Sequence, residues 1–316
     1  MDASTRRRPL LLLSALVAVG ALIAPAASPA GAATGSVEAA AVAAAITPAP
    51  ERATQDTPRY YDARSTLDPW KGRRCHVDAA GTHAVVCEFG RTSARYTVAL
   101  VGDSKIGMYA PAFIQIANSR GWRLLTITKS SCAFSDAVND RGGKPYTACS
   151  AWNRSALKAL ERHDVDLVVT GQRASTGRLP GGTKATSAAM QQGLASRWRS
   201  VQLMGIPVIV LLDNPAPPSG DVYKCVAKNR TQTWKCSFSA TTSATATVQQ
   251  RAADSLKGVG VIAMRPTLCP GGRCRAVVDD VLVYREGSHL TNTYLKTIVR
   301  TISKKLDAAR EVASRR

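Results

Sequence analysis

Five short apolar runs, rich in β-branched residues, recur along the chain at Thr97 to Val101, Arg123 to Thr128, Val165 to Thr170, Pro207 to Leu212 and Val259 to Met264. Runs of this length and composition predict buried strands. Between and after them the pattern changes to a helical period, with helices predicted over Ile106 to Ser119, Trp152 to Arg162, Lys184 to Met204, Ala240 to Lys257 and Asn292 to Ala309. In the last of these, Tyr294, Leu295, Ile298, Ile302 and Leu306 recur at steps of three and four, which is one buried helical face.

Strict alternation of strand and helix predicts a parallel sheet covered by helices on both faces, an α/β fold of three layers, α/β/α. In such folds ligands bind where loops leave the carboxyl ends of the strands. That edge holds Ser104 after the first strand, the segment from Lys129 to Cys132 after the second, Gly171 to Ser175 after the third, and Asp213-Asn214 after the fourth. Asp213-Asn214-Pro215 reads equally as a structural turn.

The 316 residues are 45% hydrophobic, enough for one substantial core. The beginning departs from the alternation. Arg6-Arg7-Arg8, an apolar stretch from Pro9 to Ile23 and a small-residue segment to Ala32 have the three regions of a secretory signal peptide over residues 1–32. Retention of that stretch as an anchor is the alternative, although it is short for a span. Residues 33–59, dominated by Ala, Thr, Pro and Val, read as a disordered linker. Residues 60–95 read as a preface in which Cys75 and Cys87 tie a hairpin around Ala80-Gly81-Thr82, and residues 96–310 as the main domain. An exported protein, secreted or held at the cell surface or in the periplasm, is expected.

All eight cysteines follow the signal and group as neighbours: Cys75 with Cys87, Cys132 with Cys149, Cys225 with Cys236, Cys269 with Cys274. Eight cysteines allow 105 pairings, and proximity selects these four local disulfides, in keeping with export. No Cys-x-x-Cys pair or histidine cluster has tetrahedral ligand spacing, so no metal is expected. Trp234, inside the Cys225 to Cys236 excursion, is expected to cover the core, with the lining of a glycan site as the alternative.

The formal charge is +20, and +18 without residues 1–32, which hold three arginines and one aspartate. The basic residues are scattered, without an aromatic-interleaved helix or a recognition motif, so nucleic acid is not the expected partner. An anionic wall polymer or phospholipid headgroups fit an exported basic chain better, and a plain solvated basic surface is the simpler reading.

The first strand ends in Gly102-Asp103-Ser104. A serine hydroxyl attacks esters at neutral pH only when an imidazole takes its proton and an acceptor orients that imidazole. Two readings of Ser104 are open at this point, helix cap and nucleophile. His289 is the base of choice among four histidines, because His76 and His83 lie in the preface and His163 ends a charged helix, all three expected at the surface. His289 instead precedes the terminal helix, with Thr291 or Asn292 as cap, and Glu286 stands three residues before it to accept the Nδ1 proton.

Together, Val98 to Ser104, Thr128-Lys129-Ser130-Ser131-Cys132, Cys149-Ser150-Ala151-Trp152, Asp166-Leu167-Val168-Val169 and Val281 to Thr291 resemble the SGNH family of serine esterases and acyltransferases. The resemblance, from about Cys75 to Leu306, is to the SGNH domain often joined to membrane acyltransferases that decorate bacterial surface glycans. It implies a flavodoxin-like α/β/α sandwich, a Ser104-His289-Glu286 triad, an acyl-enzyme and no cofactor. The implied substrate is an acylated surface or cell-wall glycan, and a separate membrane acyltransferase is an implied partner. Glu286 stands where the family has aspartate, and Lys105 follows the serine where histidine is frequent. The family's oxyanion-hole glycine and asparagine have no clean match. Ser104, Ser131, Gln172 and Arg173 are the candidates for that role, and Asp213 and Asn214 are the candidates for contacts with the acceptor. A competing reading keeps the fold without catalysis, as a wall-binding or partner-presenting domain.

Overall fold

A computed structural model describes residues 75–218 and 220–315. The expected signal, the expected linker and the first part of the expected preface therefore lie outside the described residues. A seven-stranded sheet forms the middle layer, and its path runs His76–Val77, Arg123–Lys129, Thr97–Gly102, Leu167–Gly171, Val208–Leu211, Val259–Ile262. All pairs along this path are parallel. Counting from Thr97–Gly102, the five core strands have the order 2-1-3-4-5 of the flavodoxin-like fold, so the chain reverses direction across the sheet beside Thr97–Gly102.

Alternate side chains of each strand enter opposite faces. On one face Val98, Leu100, Leu124, Val169 and Ile209 pack with Phe113, Ile116, Leu295, Ile302 and Leu306 from helices Ala110–Arg120, Asn292–Thr297 and Val299–Ser314. On the other Ala99, Val101, Ile127, Val168 and Val210 pack with Trp152, Leu194, Trp198 and Ala252 from helices Thr147–Arg162, Ser187–Leu203 and Ala244–Asp254. Trp152 and Trp198 are fully buried. Each buried aliphatic side chain contributes about 1.5–3 kcal/mol. No helix among the described residues is long and apolar enough to cross a membrane.

Several boundaries differ from expectation. The predicted helix Ile106 to Ser119 is two helices, Ser104–Gly107 and Ala110–Arg120, with Pro111 in the first turn of the second. The terminal helix breaks at Ile298 and continues to Ser314. The preface is not a hairpin: His76–Val77 runs parallel to the end of Arg123–Lys129, and Cys87–Gly90 runs antiparallel to its beginning. Both segments satisfy the free edge of that strand instead of each other.

Disulfides join Cys75 to Cys87, Cys132 to Cys149, Cys225 to Cys236 and Cys269 to Cys274. Trp234 does not cover the core; it is 48% exposed. His76 is not a surface residue either, since its ring meets Thr128 Oγ1 at 2.9 Å and Ser130 Oγ at 3.1 Å, and burial with nearby Lys129 lowers its pKa to about 4.

Candidate active site

The turn after Thr97–Gly102 is tight because Gly102 adopts φ of 145° and lies against the neighbouring strand, where a Cβ would fall 2.3 Å from the Gly171 carbonyl oxygen. Asp103 then caps the helix that begins at Ser104. Its Oδ1 accepts from Lys105 N at 2.8 Å, and its Oδ2 accepts from Arg173 N at 2.9 Å. Burial, opposed by these two amides, raises the Asp103 pKa to about 6. Capping therefore belongs to Asp103, which releases the Ser104 side chain for another contact. The Ser104 amide has no hydrogen-bond partner among the described residues.

That other contact is His289. The Ser104 Oγ to His289 Nε2 distance is 2.9 Å, across 185 residues of chain. His289 lies on a narrow loop closed by a bridge between Tyr284 and Leu290, with Gly287 at φ 51°. Thr291 caps the following helix, its Oγ1 accepting from Tyr294 N at 3.1 Å.

Glu286 is the residue that meets Nδ1, but the atom differs from the expected one: its main-chain oxygen lies 3.1 Å from Nδ1. The curl of the loop turns the carbonyl inward, and the same oxygen accepts from His289 N at 2.9 Å. No carboxylate meets the ring among the described residues. A carbonyl only accepts, so Nδ1 carries the proton and Nε2 is left with its lone pair toward Ser104. Burial first, then Lys105 and Arg285, and more weakly Arg173, hold the His289 pKa down to about 2, against the raising effect of the Glu286 carbonyl. The imidazole is therefore neutral at physiological pH.

Asp213 and Asn214 do not face outward to an acceptor. Asp213, its side chain 7% exposed, lies 3.3 Å from Lys105 Nζ, and its amide donates to Gln249 Oε1 at 2.8 Å. Asn214 is buried, donating to the Ser288 carbonyl at 3.3 Å and accepting from Tyr109 OH at 2.8 Å. Lys105 Nζ also donates to Ser288 Oγ. Burial lowers the Lys105 pKa, against Asp213 and Asp103. A buried lysine is unusual in sequence terms only by its neighbours, and its pairing across more than a hundred residues left no local signal.

The oxyanion candidates separate clearly. Ser131 is exposed, at φ 53°, without contact to Ser104 or His289. Gln172 is fully buried just past the strand Leu167–Gly171, and neither of its amide atoms has a partner among the described residues. Arg173 gives its amide to Asp103 and keeps its side chain exposed at the same edge, where Thr245 Oγ1 fixes its carbonyl at 2.5 Å. Among the described residues no three His, Cys, Asp or Glu side chains are grouped to hold a metal ion.

The family model described as an SGNH domain (fused to AT3 domains) matches residues 74–304. No curated protein matches the chain. Among solved structures the chain is similar to the periplasmic domain of a lipopolysaccharide acetyltransferase from Salmonella ser. Paratyphi A. That similarity has 12% identity and a TM-score of 0.55, over 80% of this chain and 98% of that one.

Proposed function

The chain belongs to the family of SGNH domains fused to AT3 domains, and from that premise we propose that it is an exported serine esterase or O-acyltransferase acting on acylated surface or cell-wall glycans. The observation that carries the reading is the 2.9 Å contact between Ser104 Oγ and His289 Nε2. In the proposed reaction Ser104 Oγ attacks the acyl carbonyl while Nε2 takes its proton. The unpartnered Ser104 amide is a donor for the tetrahedral oxyanion. The same proton then leaves with the sugar alkoxide, and an acyl-serine remains. Water resolves it in an esterase, a sugar hydroxyl in a transferase.

The Salmonella neighbour's printed description, a lipopolysaccharide acetyltransferase, supports acetyl as the acyl group and a surface glycan as its carrier. The family description supports a membrane acyltransferase as a working partner, and the four disulfides fit an oxidising compartment. The non-catalytic reading is favoured by one observation, the lack of a carboxylate on Nδ1 in a ring surrounded by Lys105, Arg173 and Arg285. Hydrolysis of an aryl acetate by the protein and by Ser104→Ala separates the two. Catalysis requires a loss on the order of a thousandfold in the variant, whereas equal rates defeat it.

A further inference from the structure

The Glu286 carbonyl sets the tautomer of His289, but it sits on the same small loop and so cannot fasten that loop to the nucleophile. Leu290 N on Met108 Sδ and Gly287 N on Asp221 Oδ1, both at 3.3 Å, hold the loop on either side, and the fastening next to the base runs through Ser288. Lys105 Nζ donates to Ser288 Oγ and pairs with Asp213 at 3.3 Å, while Ser288 Oγ also donates to Asp213 Oδ1 at 3.4 Å. The Ser288 carbonyl accepts from Asn214, itself held by Tyr109. Each of these contacts ties the residue before the base either to the segment carrying the nucleophile or to the end of strand Val208–Leu211. The Lys105 side chain is 5% exposed, so solvent does not loosen the pair.

Resting on the reading that Ser104 and His289 react, we propose that Lys105 is a positioning residue. Its ammonium, locked by Asp213, holds Ser288 and thereby keeps His289 Nε2 in line with Ser104 Oγ. In an ordinary triad a carboxylate on Nδ1 both selects the tautomer and fixes the ring. Here the two tasks are divided, the first going to the Glu286 carbonyl and the second to Lys105, which is next in sequence to the nucleophile. The charges around the ring agree with this division. Lys105, Arg173 and Arg285 are cations, Asp213 is engaged by Lys105, and Asp103 is engaged by the amides of Lys105 and Arg173. Such surroundings keep the ring neutral, with the Nε2 lone pair toward Ser104 Oγ, and the imidazolium is disfavoured there.

Two variants test the proposal. Ser288→Ala cuts the link and leaves the Lys105–Asp213 pair in place. Lys105→Met with Asp213→Asn removes both charges together, so that neither is left buried alone. With histidine nitrogens labelled in the full chain, NMR of the wild type is expected to show one His289 tautomer, protonated at Nδ1, from about pH 6 to 8. In both variants the Nδ1 proton should stay in place, because the Glu286 carbonyl still accepts it, while the Nε2 signal should shift and broaden as its contact with Ser104 loosens, and kcat for an aryl acetate should fall about tenfold or more with KM nearly unchanged. A folded variant of either kind that keeps the wild-type Nε2 signal and the wild-type kcat overturns the proposal. The NMR readout needs no substrate: should the wild type hydrolyse nothing while the Nε2 signal still shifts in the variants, positioning by Lys105 stands and the esterase reading falls.

Discussion

Acid should unfold this protein partly through His289, because the fold keeps that ring neutral. Its folded pKa is about 2, against 6.5 in the free side chain, with burial as the main cause and Lys105 next. A group with a depressed folded pKa binds fewer protons folded than unfolded. Its contribution is intact above pH 6.5 and is lost progressively as pH falls from there toward the folded value. Between pH 7 and 5 the unfolded histidine takes up most of a proton and the folded ring takes none, a loss of about 2 kcal/mol, or about 1 kcal/mol after discounting for the ring's partial exposure. Asp103 acts in the opposite sense. Its folded pKa of about 6 lies above its ordinary 3.8, so it favours the fold as pH falls through 6. Comparison with His289→Gln cancels that contribution, because both proteins carry Asp103. Urea unfolding of each at pH 7 and pH 5 gives the free energies. The wild type should lose about 1–2 kcal/mol more than the variant over this interval. Equal losses would refute the reasoning.

Other expectations follow from single contacts. Gly102→Ala puts a methyl 2.3 Å from the Gly171 oxygen at a φ of 145°, so thermal melting should show a loss of about 3 kcal/mol or more. Lys105→Met alone leaves Asp213 buried without its cation; urea unfolding should show a loss of about 3–5 kcal/mol, most of it restored by adding Asp213→Asn. Replacing Cys132 and Cys149 by alanine removes the link across 17 residues, and calorimetry should register about 3 kcal/mol.

The sheet was legible because each core strand is buried on both faces, which leaves an unbroken apolar run such as Val98 to Val101. The position of Ser104 followed from the same runs, since a loop leaving the first parallel strand must emerge at the ligand-binding edge. What local sequence does not carry is the choice of partner. Cys75 and Cys87 are near neighbours, yet the strands beside them pair with Arg123–Lys129, because its free edge offers more hydrogen bonds than a two-residue hairpin. The helix break at Met108-Tyr109 has its reasons far along the chain, 182 residues away where Leu290 N meets Met108 Sδ at 3.3 Å and 105 residues away where Tyr109 reaches Asn214. Asp213 read as a rim residue for the same cause, its cation Lys105 being invisible from Asp213-Asn214-Pro215. At Glu286 the residue type suggested a carboxylate contact, while the φ of Gly287 turned the main chain there instead.

The central claim is that Ser104 is a nucleophile activated by His289. Exposure of the folded protein to a fluorophosphonate, followed by peptide mass mapping, tests it most directly, because the reagent bonds only to activated serine oxygens. The account predicts one adduct on the peptide containing Ser104, formed at neutral pH and absent from both Ser104→Ala and His289→Gln. An unlabelled wild type, an adduct on another serine, or equal labelling of His289→Gln would contradict it.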